Sequence, residues 1–184
     1  MKKTFFYFLL AILTLNACTG KSSTTEQTSV HSEYETDDEK GDGIQRMHEY
    51  NFSDSVVVDG KTYTYTIHRE SSDSLPIVTD DEGTRYADNF YTLSISRNDG
   101  DFTRYTFSKR NFMSYLSPEF QRKGILDGMM CDKSLPGLRF AISVSLPQSD
   151  MFEPLLLSID PKGGMSIVRD ERSDAELEDN DDGV

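Results

Sequence analysis

The segment from Leu138 to Leu146 alternates without a break. Leu138, Phe140, Ile142, Val144 and Leu146 are apolar, and Arg139, Ala141, Ser143 and Ser145 between them are small or polar. A period of two sends successive side chains to opposite faces of a pleated strand, so this segment has one dry face and one wet face. A helix would scatter the same apolar positions around its circumference. The dry face has to be covered by a second layer, which commits the chain to a sheet-built core. Pro147, with no N–H to give to a ladder, ends the run.

Other segments repeat the pattern and supply the turns. Val56-Val57-Val58 leads into Asp59-Gly60, after which Thr62-Tyr63-Thr64-Tyr65-Thr66-Ile67 alternates. A two-residue Asp-Gly between such runs is a strong hairpin signal, because both turn positions need positive φ. Phe90–Ile95 is a further strand, turned by Asn98-Asp99-Gly100 into Phe102–Phe107. Leu155, Leu157 and Ile159 form another, and Asp160-Pro161-Lys162-Gly163-Gly164 returns the chain into Met165–Val168. Residues 70–85 are polar and read as a long loop around Ile77-Val78, with Tyr86 and Ala87 extending the following strand backward. Helix appears once. Phe112, Tyr115 and Leu116 stand at i, i+3 and i+4, and Ser117-Pro118-Glu119 offers a cap, an N1 proline and an early acid before Gly124 stops the run. The expected fold is mainly β: an antiparallel sheet of successive hairpins, a sandwich or half-barrel, with one or two short helices at about 109–123. A single helical segment argues against a parallel βαβ sheet.

The amino terminus is of another kind. Lys2 and Lys3 are followed by an uncharged apolar run from Phe5 to Leu15. That run is too short to span a bilayer, which takes roughly 20 apolar residues. It has the length of a secretory signal core. Leu15-Asn16-Ala17-Cys18 then resembles the lipobox of bacterial lipoproteins, in which the cysteine sulfur carries a diacylglycerol and the chain is cut just before it. Asn16 stands where a small residue or Ser is commoner. The resemblance implies that residues 1–17 are a signal peptide and that Cys18 is the lipidated first residue of the mature chain. Two acyl chains anchor stably, each buried methylene contributing about 0.8 kcal/mol. Thr19 is not the Asp that retains such proteins in the inner membrane, so an outer-membrane location is expected. No acidic cluster directly follows Cys18, which favours the periplasmic face over the cell surface.

Charge divides the remainder. The whole chain carries −13, but residues 44–169 hold fourteen bases against seventeen acids and are nearly balanced. The excess lies in the flanks, with two bases against seven acids in 18–43 and Arg172 alone against eight acids in 170–184. Nucleic acid needs a basic surface and is excluded as a partner. Polybasic adhesion to anionic lipid is excluded likewise. Residues 18–43 read as an acidic Ser/Thr-rich tether, 44–169 as one domain, and 170–184 as an acidic tail too poor in apolar residues to offset the entropy of ordering it.

A search for chemistry yields no catalytic, cofactor or metal site. There is no Gly-x-Ser-x-Gly and no phosphate loop. Cys131 has acidic Asp127 and Asp132 nearby, which work against a thiolate, and reads as a small buried hydrophobe. His31 lies in the tether, while His48 and His68 have no second ligand at metal spacing. Asp80-Asp81-Glu82 and Asp99-Gly100-Asp101 carry oxygens suited to calcium but match no EF-hand loop, and turn chemistry accounts for them. Tyr63, Tyr65, Tyr91 and Tyr105 follow from the preference of Tyr for strands.

The lipobox, the strand ending in Leu146-Pro147-Gln148-Ser149-Asp150 and the strand, turn and strand of 155–168 together resemble a family of small Bacteroidota lipoproteins. That family is catalogued as a domain of unknown function, number 4738. The resemblance implies an envelope lipoprotein with a β-rich domain and brings no catalytic residue with it. The expected role is a noncatalytic binding module, held to the bilayer through Cys18 and meeting an envelope protein or small ligand. A periplasmic hydrolase using carboxylate and His groups, including His48 or His68, is one alternative. A calcium-dependent adhesion or scaffold module is the other.

Overall fold

A computed structural model describes residues 34–36, 41–98 and 100–172. The strands are β1 (Tyr34–Thr36), β2 (Ile44–Met47), β3 (Tyr50–Val58), β4 (Lys61–Ser71), β5 (Val78–Thr79), β6 (Arg85–Tyr86), β7 (Asn89–Arg97), β8 (Gly100–Phe107), β9 (Ile125–Cys131), β10 (Leu138–Ser145), β11 (Phe152–Ile159) and β12 (Met165–Arg169). A 3-10 helix, Lys109–Tyr115, and one α-helix, α1 (Pro118–Lys123), connect β8 to β9.

Two four-stranded antiparallel sheets make the body, in the orders β3-β4-β7-β8 and β12-β11-β10-β9. The second is a hairpin-by-hairpin meander, while the first is two hairpins, with β5 and β6 between β4 and β7 in the chain. Asp59 and Gly60 have φ of 49° and 72°, the positive pair that the β3–β4 turn demands. Asn98 and Gly163 take the same left-handed region in the β7–β8 and β11–β12 turns, at 50° and 88°. The dry face of β10 meets the dry faces of β4 and β7, so that Tyr65 packs edge-on against Phe140 with ring centroids 5.5 Å apart. Ile67, Leu93, Leu126, Val144, Leu155 and Leu157 fill the same core. This is a sandwich rather than a closed barrel. Each fully buried side chain of this size contributes about 1.5–3 kcal/mol.

The two helices close one end. Phe112, Leu116 and Phe120 insert into the core, with Phe112 against Phe107. The i, i+3, i+4 pattern of 112–116 is realised as a 3-10 helix, and the N1 proline belongs to α1. Gly124 stops α1 without a left-handed turn: its φ is −73°. Glycine is required there by space, since a Cβ would stand 2.5 Å from the Phe120 carbonyl oxygen and 2.7 Å from Val144.

A third, smaller sheet runs β1-β2-β6-β5. Within it β2 and β6 are parallel, Ile44 facing Arg85 and Gln45 facing Tyr86. The stretch 70–85 is therefore only partly loop: β4 reaches Ser71, and β5 and β6 form an antiparallel pair. Tyr86 belongs to this sheet and does not extend β7. Inside 18–43, β1 pairs with β2, Tyr34 opposite Met47. Cys18 and residues 173–184 lie outside the described residues. No described helix is long and apolar enough to cross a membrane.

Candidate functional site

Sandwich sheets bury alternate residues, so any polar residue on the inner face must find a partner. At the helix-capped end the inner-face pattern of β4 and β7 turns polar, giving Arg69 and Ser71 opposite Tyr91 and Asn89. A bulge in β9 answers them. The register with β10 shifts between Ser143 and Val144, leaving Asp127 as the extra residue. Its carbonyl oxygen accepts from the Tyr91 hydroxyl, and from Arg69 at 3.4 Å. Its side chain turns to the other face and accepts from the Ser143 hydroxyl at 2.7 Å. Asn89 donates to the Leu126 carbonyl at 2.9 Å and accepts from Ser71 at 2.7 Å. The Asp88 carboxylate accepts the backbone N–H groups of Asn89 and Leu126 at 2.9 and 3.0 Å.

Asp88 and Asp127 are 2% and 3% exposed. Burial raises both carboxyl pKa values, against the hydrogen bonds that favour the charged forms. Asp127 adds to the shift of Asp88. Lys109, moved down by its own desolvation, stands near Asp88 and donates to the Gly124 carbonyl at 2.6 Å. Perturbed carboxylates of this kind mark active sites in many enzymes. Here their oxygens are turned onto the protein's own donors, and they line neither of two clefts on the surface. The arrangement welds β7 to β9 across the sandwich.

The larger cleft, about 540 Å³, lies between the small sheet, α1 and the β10–β11 loop, and includes Asp81, Glu82, Tyr86, Glu119, Lys123 and Met151. The smaller, about 310 Å³, lies at the opposite end beside Asp59, Lys61, Arg139 and Asp160. Cys131, His48 and His68 line neither. His68 sits on the outer face of β4, where its Nε2 is 2.9 Å from Glu49, and His48 gives its backbone carbonyl to Arg69. Cys131 is half-buried beside Tyr65, its pKa raised by burial. Asp80 uses its carboxylate on the backbone N–H groups of Glu82 and Thr84, at 3.0 and 2.8 Å, and on the Tyr86 hydroxyl at 3.1 Å. Burial opposes its charge, but these bonds together hold its pKa below the ordinary value. Asp81 pairs with Lys123 at 2.6 Å. Asp99 lies outside the described residues, and among those described no three His, Cys, Asp or Glu side chains gather to hold a metal. Tyr63, Tyr65 and Tyr91 are core residues and form no surface patch.

What remains open is a surface. β3 is an edge strand, and Tyr50, Phe52, Asp54, Val56 and Val58 lie on its inner side, opposite Arg69, Ile67, Tyr65, Tyr63 and Lys61. The facing sheet covers β4 but leaves Tyr50 and Phe52 each 41% exposed. Their rings lie nearly parallel, at 7° and 6.3 Å, and the Arg69 guanidinium sits 5.6 Å from the Tyr50 ring. Asp54 closes the far end of this shelf, paired with Lys133 at 2.6 Å. Alternation in 50–58 is weak, so the shelf had no clear signature in the sequence.

A two-sheet antiparallel sandwich with its buried carboxylates spent on internal bonds and an aromatic shelf on one edge defines a compact β-rich domain. Residues 29–167 match the family described as Domain of unknown function (DUF4738), and the chain belongs to that family. A search of curated proteins gave no match.

Proposed function

We propose that this chain is a lipid-anchored envelope module that binds another protein and performs no chemistry of its own. The observation that carries the binding role is the Tyr50–Phe52 shelf. Two large aromatic rings held stacked at 41% exposure, on a strand that has no neighbour on one side among the described residues, are an energetic cost to a free domain and an asset to a docked one. The noncatalytic role draws support from Asp88 and Asp127, whose lone pairs serve backbone and serine donors and not a cleft. The anchor rests on Leu15-Asn16-Ala17-Cys18 and the apolar run before it. Fatty chains on Cys18 would hold the domain to the periplasmic face of the outer membrane through the acidic stretch after it.

Mass spectrometry of the mature amino terminus, with fractionation of the envelope, tests the anchor. Cys18 is expected as the first residue carrying a diacylglycerol, with Cys18→Ala released from the membrane fraction. An unmodified mature chain starting elsewhere overturns it. A photo-crosslinking residue placed at Phe52 tests the binding role in intact cells. It is expected to give a discrete protein adduct that the same probe at exposed Phe152 does not give. Absence of adducts from both positions overturns that role.

A further inference from the structure

Edge strands present unpaired backbone groups, and proteins blunt them with bulges, short length, basic side chains or covering contacts. In the sandwich, β8 carries a register shift at Ile95/Ser96, includes Arg104, and is tied to the β11–β12 turn by the Tyr105 hydroxyl on the Gly163 carbonyl. β9 carries the Asp127 bulge. β12 has only five residues and is pinned by Arg169, which donates to the Tyr115 carbonyl at 2.9 Å. β3 has no bulge and is not short, though Lys133 covers it at Asp54, at 2.6 Å. It runs nine residues in unbroken register from Tyr50 to Val58, with no Pro, Lys or Arg.

Its charges are of one sign. Glu49, Asp54 and Asp59 stand before, within and after the strand, and residues 49–59 hold no base. A second copy of β3 would bring acid against acid, which disfavours self-pairing. A strand bearing Lys or Arg meets no such barrier. Resting on the binding-module reading above, we propose that β3 takes up an extended basic segment of a partner protein as a fifth strand of its sheet. Main-chain hydrogen bonds to the free edge give affinity. Alternate apolar side chains of the incoming strand lie over Tyr50 and Phe52, and the basic residues between them fall on the outer side, toward the acids Glu49 and Asp59 that flank the strand; Asp54 is on the inner side and is already paired with Lys133.

The test uses the full mature chain in detergent. One pool of nine-residue peptides, matching the length of β3, has Val, Ile or Phe at alternate positions and Lys or Thr between; a second has Glu in place of Lys. The Lys pool is expected to bind and to protect the amides of 50–58 from exchange, with the Glu pool weaker by at least about tenfold. Asn51→Lys with Ser55→Lys, both on the exposed outer side, is expected to weaken the Lys pool about tenfold while leaving the urea midpoint in place. Equal binding of both pools, protection confined to other strands, failure of the Lys pool, or dimerisation of the chain that the Lys variants abolish each overturns the proposal. If the Phe52 probe still gives its adduct in cells while the Lys pool fails, strand addition is wrong and the binding module stands.

Discussion

The Asp88 carboxylate accepts the backbone N–H of Leu126 at 3.0 Å, joining the residue before β7 to the second residue of β9 across the sandwich. The two strands belong to different sheets, so the bond fixes how the sheets sit at the helix-capped end.

Asp88→Ala leaves the N–H groups of Asn89 and Leu126 buried without an acceptor and should cost about 1–3 kcal/mol in urea unfolding. Asp88→Asn keeps an acceptor oxygen without the charge. Burial raises the folded pKa of Asp88, so the native state binds its proton more readily than the unfolded state. That contribution is greatest below the ordinary carboxylate pKa and is lost as pH rises through the folded value. The wild-type protein should therefore gain on Asp88→Asn as pH is lowered. A series of urea titrations across the acid range checks this, and a wild-type minus Asp88→Asn stability difference that falls toward acid pH would refute it.

Glu153, on β11, serves the start of a helix. Ser117 precedes α1, and its N–H donates to the Glu153 carboxylate at 2.9 and 3.2 Å. Arg169 on β12 stands 3.6 Å from the same carboxylate. Glu153→Ala should cost about 1–3 kcal/mol, since it strips a donor of its charged partner where the carboxylate is buried. Glu153→Gln should recover part of that loss. Thermal melts of the two variants beside the parent measure it, and equal melting temperatures would rule the role out.

How much of this was legible depends on what each residue reports. Leu138–Ser145 declared itself because one face is dry and one wet along its whole length, and Asp59-Gly60 because its positive φ values restrict the residues that fit. β9 did not, since Ile125, Leu126, Asp127, Gly128 and Met129 are all buried and the bulge breaks the period of two. β5 and β6 are two residues each, too short for any period, and exist through pairing with each other and, for β6, with distant β2. The shelf on β3 was hidden for a related reason. Tyr50 and Phe52 are on the inner side by register and yet 41% exposed, and how far an inner side is covered is a property of two sheets and not of one strand.

Gly124 makes a prediction that φ alone would miss. Its backbone angles suit any residue, yet a Cβ would press on the Phe120 carbonyl and the Val144 side chain. Gly124→Ala should cost about 1–3 kcal/mol through overpacking, because the nearest obstacle is backbone and cannot rotate away. Combining it with Val144→Ala should recover only part of the loss, as the carbonyl contact persists. Full tolerance of Gly124→Ala in urea unfolding would contradict the close approach.

The small sheet should come apart before the sandwich does. Arg46 is its fastener: its guanidinium meets Asp42 and Asp73 at 2.7 Å each and its own strand's Ile44 carbonyl at 3.2 Å. Asp42 precedes β2 and Asp73 follows β4, so one side chain ties the start of the domain to the main sheet. Beneath it, Met47, Val78, Tyr86 and Ile125 form a satellite cluster much smaller than the main core. Arg46→Ala removes both ion pairs at a buried side chain, while Arg46→Lys keeps the charge and loses the two-pronged contact with Asp42. Regions with little buried apolar surface open with a lower free energy than the global one. Amide exchange at Gln45, Thr79 and Tyr86 should therefore quicken by about tenfold or more in Arg46→Ala, and less in Arg46→Lys, with Ile67, Leu93 and Ile142 unchanged. Uniform quickening across both groups would show that the small sheet and the sandwich unfold as one unit.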